Sequence, residues 1–149
     1  LNETMTNLPE GNSLDFIFIG LGTNDAKAVF KDRQQEVSLN LEQLILRIKA
    51  YFELRKLKQP GICLLSAPPV DPLRYDQEKY GGSETRISQN NASFERICQE
   101  HKVDFLNTFN VLMQNFTGKT DDGIHLKTEA QFEFARTILQ YLNNKTELK

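Results

Sequence analysis

The sequence predicts an α/β domain built on a parallel sheet, and two observations carry that prediction. Apolar segments of strand length alternate with segments whose apolar residues recur at helical spacing, in the order strand, helix, strand, loop, helix, strand, loop, helix. The strand segments are continuous apolar runs rather than alternating ones, as in strands covered on both faces and joined by right-handed crossovers.

The first strand is Asp15–Gly20, short, aromatic and β-branched. Val37, Leu41, Leu44, Ile48 and Phe52 then form one apolar stripe of a long helix. Arg47, Lys49, Glu53, Arg55 and Lys56 fill much of its remaining surface, and Pro60-Gly61 ends it. Gly61–Ser66 is a second buried-strand run, stopped by Pro68-Pro69. Residues 67–83 form a long loop rich in Pro, Gly and Asp, a kind of loop that is usually functional or disordered. Ile87, Asn91, Phe94, Ile97 and Cys98 mark the next helix, and Val103–Asn107 the third strand. Thr108–Phe116 suits a short helical turn. Phe132, Ala135, Ile138, Leu139 and Leu142 mark the last helix, with Thr128 and Gln131 spaced as a capping box.

A length of 149 residues suits one domain over residues 1–149. Lys and Arg number 18 against 20 Asp and Glu, for a net charge of −2, without the basic surplus of a nucleic-acid binder. The longest apolar runs, Phe16–Ile19 and Ile62–Leu65, fall far below the ~18 residues of a membrane span. The first residues lack the order of a signal peptide. Cys63 and Cys98 stand in apolar contexts and read as two buried free thiols. Asn2, Asn91, Asn115 and Asn144 each open a glycosylation triplet, where chance gives about one. Cytoplasmic is the default compartment, with secretion as the alternative.

In a parallel sheet ligands bind outside the carboxyl ends of the strands. The segments after Gly20, Ser66 and Asn107 should therefore converge. Leu21-Gly22-Thr23-Asn24-Asp25 follows the first strand directly. Asn24 could aim a primary amide at a developing oxyanion; it could equally belong to an Asn-Asp turn that caps the next helix. Asp121-Asp122-Gly123-Ile124-His125 precedes the last helix. Asp122 and His125, three apart across a glycine, could place a carboxylate on imidazole Nδ1 and leave Nε2 facing a cleft. They could also be a loop acid and a surface His. His101, between Glu100 and Lys102 at a helix end, reads as merely solvated.

Together these two segments resemble two conserved blocks of the SGNH hydrolase family, the GDSL esterases and lipases. Gly22–Phe30, Ser66-Ala-Pro-Pro69, Gly81-Gly82 and Asp122–His125 are similar to its arylesterase and acyltransferase branch, and the resemblance spans about residues 15–139. It implies a flavodoxin-like three-layer α/β/α fold, no metal, no cofactor, and hydrolysis or transfer of short acyl groups through an acyl-serine. It maps His125 as general base, Asp122 as its orienting partner and Asn24 as an oxyanion donor. Gly22 would shape that loop, Asp25 would be structural, and Lys27, Phe30, Pro68 and Pro69 would line the substrate.

Two further blocks of that family, the Gly-Asp-Ser nucleophile and an oxyanion glycine, have no counterpart in the sequence. Gly11-Asn12-Ser13 precedes a strand, whereas the nucleophile must follow one and open a helix. Ser66 and Ser83 also lack that context. The chain is thus expected to be a carboxyl-terminal portion lacking a strand, helix and strand, with an exposed apolar sheet edge where the missing central strand would pair. The expected partners are a small-molecule ester and an upstream segment or chain that supplies the serine. A homo-oligomer is left open, and neither nucleic acid nor membrane is expected. The alternative to an esterase is a non-catalytic binding or scaffold protein on the same fold; a receiver or nucleotide-binding domain would need a phosphate loop or acidic cluster that the sequence lacks.

Overall fold

The structure, a computed structural model, describes residues 14–147. Strand β1, Phe16–Gly20, runs parallel to β2, Gly61–Leu65, with Phe16 opposite Gly61 and Gly20 opposite Leu65. Strand β3, Asp104–Leu106, pairs parallel with the other edge of β2, giving the order β1-β2-β3. The first crossover contains two 3-10 turns, Asn24–Ala26 and Ala28–Arg33, and helix α1, Gln34–Leu54. The second contains the short helix α2, Gln77–Tyr80, and α3, Ser83–Glu100. After β3 come α4, Thr108–Met113, a further 3-10 turn, and α5, Thr128–Glu147.

The alternation of each strand decides the layers. Ile19, Ile62 and Leu64 point to one face, where they meet Leu41, Ile45, Ile48 and Phe52 of α1 and Phe94, Ile97 and Cys98 of α3. Each such side chain, once buried, contributes roughly 1.5–3 kcal/mol relative to exposure. On the opposite face Phe16 and Phe18 meet the edge of the Tyr141 ring on α5, with centroids 6.2 and 5.9 Å apart. The Tyr141 hydroxyl donates to Asp104 at 2.5 Å, tying α5 to β3. The sheet is thus sandwiched between α1 and α3 on one side and α5 on the other.

Several local expectations need correction. On β1 only Ile19 is fully buried; Phe16, Ile17 and Phe18 are half-buried, because β1 is an edge strand among the described residues. On α1 it is Ile45 that is fully buried, while Leu44 is partly exposed. On α5 the inward side is formed by Ala130, Phe134, Ile138 and Tyr141, and Phe132 and Leu139 are 68% and 59% exposed. That helix carries apolar residues on two faces, and tertiary contact chose the one with the tyrosine. The Gln131 side chain donates to the Leu126 carbonyl instead of closing a capping box with Thr128. His101 is not merely solvated: its Nε2 lies 2.7 Å from Glu42 Oε1, and Lys49 donates to its carbonyl.

Cys63 and Cys98 are buried and unpaired, as expected. Burial pushes their thiols up to about 11 and about 12, which leaves them protonated and poor nucleophiles. The Asn91 side chain bonds both polar atoms of the Ala67 backbone, at 2.8 and 3.1 Å, so that glycosylation triplet is committed to packing. Asn115 and Asn144 are exposed; Asn2 and Ser13 lie outside the described residues. Among the described residues no helix is long and apolar enough to cross a membrane.

Candidate active site

Past the carboxyl ends of β1 and β2 lies an open cleft of about 390 Å³. Its walls are Gly20–Asp25, Leu65–Pro68, Leu126 and Phe134. Gly22 makes the first wall possible. Its φ is +117°, and a β carbon there would stand 3.0 Å from Ala67 Cβ and 3.2 Å from Phe94. Only glycine combines that backbone angle with that proximity. The chain then enters the Asn24–Ala26 turn, which backbone groups close by themselves: Ala26 N–H donates to the Gly22 carbonyl at 3.2 Å and Lys27 N–H to the Asn24 carbonyl at 3.3 Å. The Asn24 side chain is exposed and, among the described residues, its amide has no hydrogen-bond partner. A capping role would consume that amide; here it is free to donate into the cleft. Asp25 lines the same wall, and its carbonyl accepts from Gln34 at 3.0 Å.

The second group of residues is the loop between Thr120 and Leu126, whose ends pair in an antiparallel bridge. His125 Nδ1 donates to Asp122 Oδ2 at 2.5 Å. Asp122 Oδ1 meanwhile accepts the backbone N–H groups of Ile124 at 2.9 Å and His125 at 2.8 Å. The imidazole hydrogen bond, followed by the two amides, holds the Asp122 carboxyl far below the usual carboxylate range. Asp122 is therefore ionised wherever an imidazole can act as a base, and it fixes the tautomer that leaves a lone pair on Nε2. The His125 side chain is 82% exposed. It does not itself line the cleft, but Leu126, the next residue, does.

Gly123 folds this loop with φ +82°. A β carbon there would fall 2.6 Å from Tyr75 N and 2.7 Å from Asp71 O, both rigid backbone atoms. Gly123→Ala should cost at least about 1–2 kcal/mol from the left-handed backbone alone, with the clash added. The expected readout is a lower urea midpoint with loss of the Asp122–His125 contact; an unchanged midpoint would show that the loop can be rebuilt without glycine.

The remaining predicted residues separate. Pro68 lines the cleft, and Pro69 is buried and does not. Lys27 and Phe30 are half-buried outside it, with the Lys27 ammonium 5.8 Å from the Tyr80 ring centre. Leu21, Thr23 and Leu126, which flank the motif residues, line the cleft as well, and so does Phe134, which belongs to no motif. Phe134 lies on the face of α5 opposite the exposed Phe132 and Leu139, so the apolar stripe through those two residues does not mark it. The two buried serines among the described residues are spent on structure. Ser66 Oγ accepts from Phe109 N–H at 2.7 Å and contacts Thr108, and Ser83 Oγ shares its one proton between the Ala26 carbonyl, at 2.9 Å, and that of Tyr80. Glu42, Glu100 and His101 could offer a metal three ligand atoms within 4.8 Å of one another. Glu42 stands on α1 and Glu100 and His101 at the end of α3; none of the three lines the cleft, and His101 is already bonded to Glu42.

A model of the GDSL-like lipase/acylhydrolase family matches residues 1–131. None of the curated proteins compared with the chain matches it. Among solved structures, Est24, a carbohydrate acetylesterase from Sinorhizobium meliloti, superposes with a TM-score of 0.78 at 21% identity, over 96% of this chain and 65% of its own. The aryl esterase of M. smegmatis superposes with a TM-score of 0.77 at 22% identity, over 93% of this chain and 63% of its own. At these identities the likeness establishes the fold. The chain spans slightly less than two thirds of the length of either structure.

Proposed function

The chain belongs to the GDSL-like lipase/acylhydrolase family, and on that premise we propose that it carries the base and oxyanion half of a serine esterase acting on short-chain esters. The observation that carries the reading is the pair of polar groups that packing leaves available: a free Asn24 amide at the end of β1, and an imidazole whose Nδ1 is committed to Asp122. In this reading a serine contributed from outside residues 14–147 attacks the ester carbonyl. His125 Nε2 takes the hydroxyl proton as the bond forms. The Asn24 amide donates to the oxyanion of the tetrahedral intermediate. His125 then returns the proton to the leaving alcohol, and a water or a second alcohol repeats the sequence to release the acyl group. The open cleft, with Gly22 and Pro68 in its walls, suits small acetyl or aryl esters, the substrates named for the two solved structures. A binding or scaffold protein would have no use for the free amide and the oriented imidazole together.

The test is a fluorophosphonate probe, which reports activated serines. The 149-residue chain alone should stay unlabelled and should not hydrolyse p-nitrophenyl acetate. The chain in company with the proposed serine-bearing upstream segment or chain should give labelling on that partner's serine. Stoichiometric labelling of Ser13 in the isolated chain would overturn this assignment of the nucleophile. A longer protein with neither labelling nor turnover would favour the binding reading.

A further inference from the structure

The segment that runs from Asp71 to Arg86 touches both halves of the site. At its first end, Asp71 N–H donates to the Gly123 carbonyl at 2.9 Å, and Arg74 Nη1 donates to the Thr120 carbonyl at 2.6 Å. Those two carbonyls bracket Asp122 in the chain. The Arg74 guanidinium is held in place from behind by Asp71, whose Oδ2 lies 3.5 Å from Arg74 Nε. That carboxylate is almost fully buried, and its Oδ2 has no hydrogen-bond partner, so the arginine charge is what compensates it. At the other end, Arg86 Nε donates to the Ala26 carbonyl at 2.8 Å and Nη2 to the Gly81 carbonyl at 2.6 Å. Ser83 Oγ donates to the same Ala26 carbonyl. Ala26 closes the turn that presents Asn24.

The two ends are coupled. The Tyr75 hydroxyl donates to Glu84 at 2.7 Å, and the Tyr75 and Tyr80 rings lie 6.0 Å apart. Ala26, Tyr75, Tyr80, Ile87 and Ile124 belong to one buried apolar cluster, separate from the main core beneath the sheet. Ala26 is two residues from Asn24, and Ile124 is adjacent to His125. A small core of its own thus lies between the oxyanion loop and the base loop.

We infer that Asp71–Arg86 is a two-ended brace that sets the Asn24 amide and the His125 imidazole relative to each other, with Arg74 and Arg86 as positioning residues for the two loops. The inference rests on the proposed esterase reading for its catalytic meaning, while its geometry stands without it. A charged donor on a backbone carbonyl is among the stronger protein hydrogen bonds. Small displacements of reacting groups are costly, as a 1 Å misplacement can lower a rate about 10²-fold.

The experiment compares Arg74→Met and Arg86→Met. Because Arg74→Met leaves Asp71 buried without a counter-charge, the double variant Asp71→Asn/Arg74→Met is measured beside it. In the Arg74 variants the Asp122 carboxyl, followed by carbon-13 NMR against pH, should titrate nearer the ordinary carboxylate range, as the Ile124 and His125 amides drift from it. In Arg86→Met the backbone amide of Ala26 should exchange with deuterium about tenfold faster or more, as follows from losing a charged hydrogen bond, with the Asp122 titration unmoved. In the longer protein each variant should lower kcat about tenfold or more with KM within about twofold. If the Asp122 titration and the Ala26 exchange both match the parent, the brace is refuted, even where thermal stability falls. Absence of ester hydrolysis in the unmutated longer protein would refute the esterase reading, and the two NMR measurements would still decide the brace.

Discussion

If the proposed esterase reading holds, replacing His125 by Ala in a protein that joins this chain to the proposed nucleophilic serine should lower turnover of p-nitrophenyl acetate by roughly 10⁴–10⁶-fold, the scale seen when the base of a serine–histidine pair is removed. The fold should survive, because the imidazole is 82% exposed and contributes almost no packing. Its one strong contact is to Asp122, a half-exposed carboxylate that keeps the Ile124 and His125 backbone amides after the substitution. The measurements are kcat on the ester and the thermal midpoint of the same sample. Activity within tenfold of the parent would remove His125 from the mechanism. A collapse of the midpoint would instead make the loop, rather than the base, responsible for the loss.

Asn24→Ala should lower kcat by about 10²–10³-fold, with KM nearly unchanged, because the contact is made chiefly in the transition state. The alternative view, a turn cap, predicts a different outcome. A lost cap destabilises the domain by about 0.5–2 kcal/mol and affects turnover only through the folded fraction. The structure argues for the first outcome on a simple point: the turn is closed by the Ala26 and Lys27 amides, and the Asn24 side chain takes no part in it. A variant that loses midpoint and keeps kcat would return Asn24 to the capping role.

The sheet, the order of its elements and the candidate pairing of Asp122 with His125 are legible along the chain. Continuous apolar runs such as Gly61–Leu65 can be stable only inside a covered sheet, and the helical stripe through Leu41, Ile48 and Phe52 supplies the cover. The Asp122–Gly123–His125 spacing is a local geometry, contained in the four residues from Asp122 to His125, and so it could be read along the chain. Leu44 against Ile45, and the face of α5, could not be read in this way. A stripe of apolar residues fixes an angle on a helix only to within a neighbouring position, and α5 offers two such stripes. What chose between them was the edge-on fit of Tyr141 to Phe16 and Phe18 and the hydrogen bond from its hydroxyl to Asp104, contacts across more than thirty residues of chain. The same holds for the site. Whether the Asn24 amide is spent on a turn or left free depends on which backbone groups close that turn. The reach of Arg74 and Arg86 to the Thr120 and Ala26 carbonyls joins loops 46 and 60 residues apart. Long-range pairings of this kind leave no periodic trace in a sequence, because the partner is selected by the packing of the whole domain, and only the tertiary structure decides them.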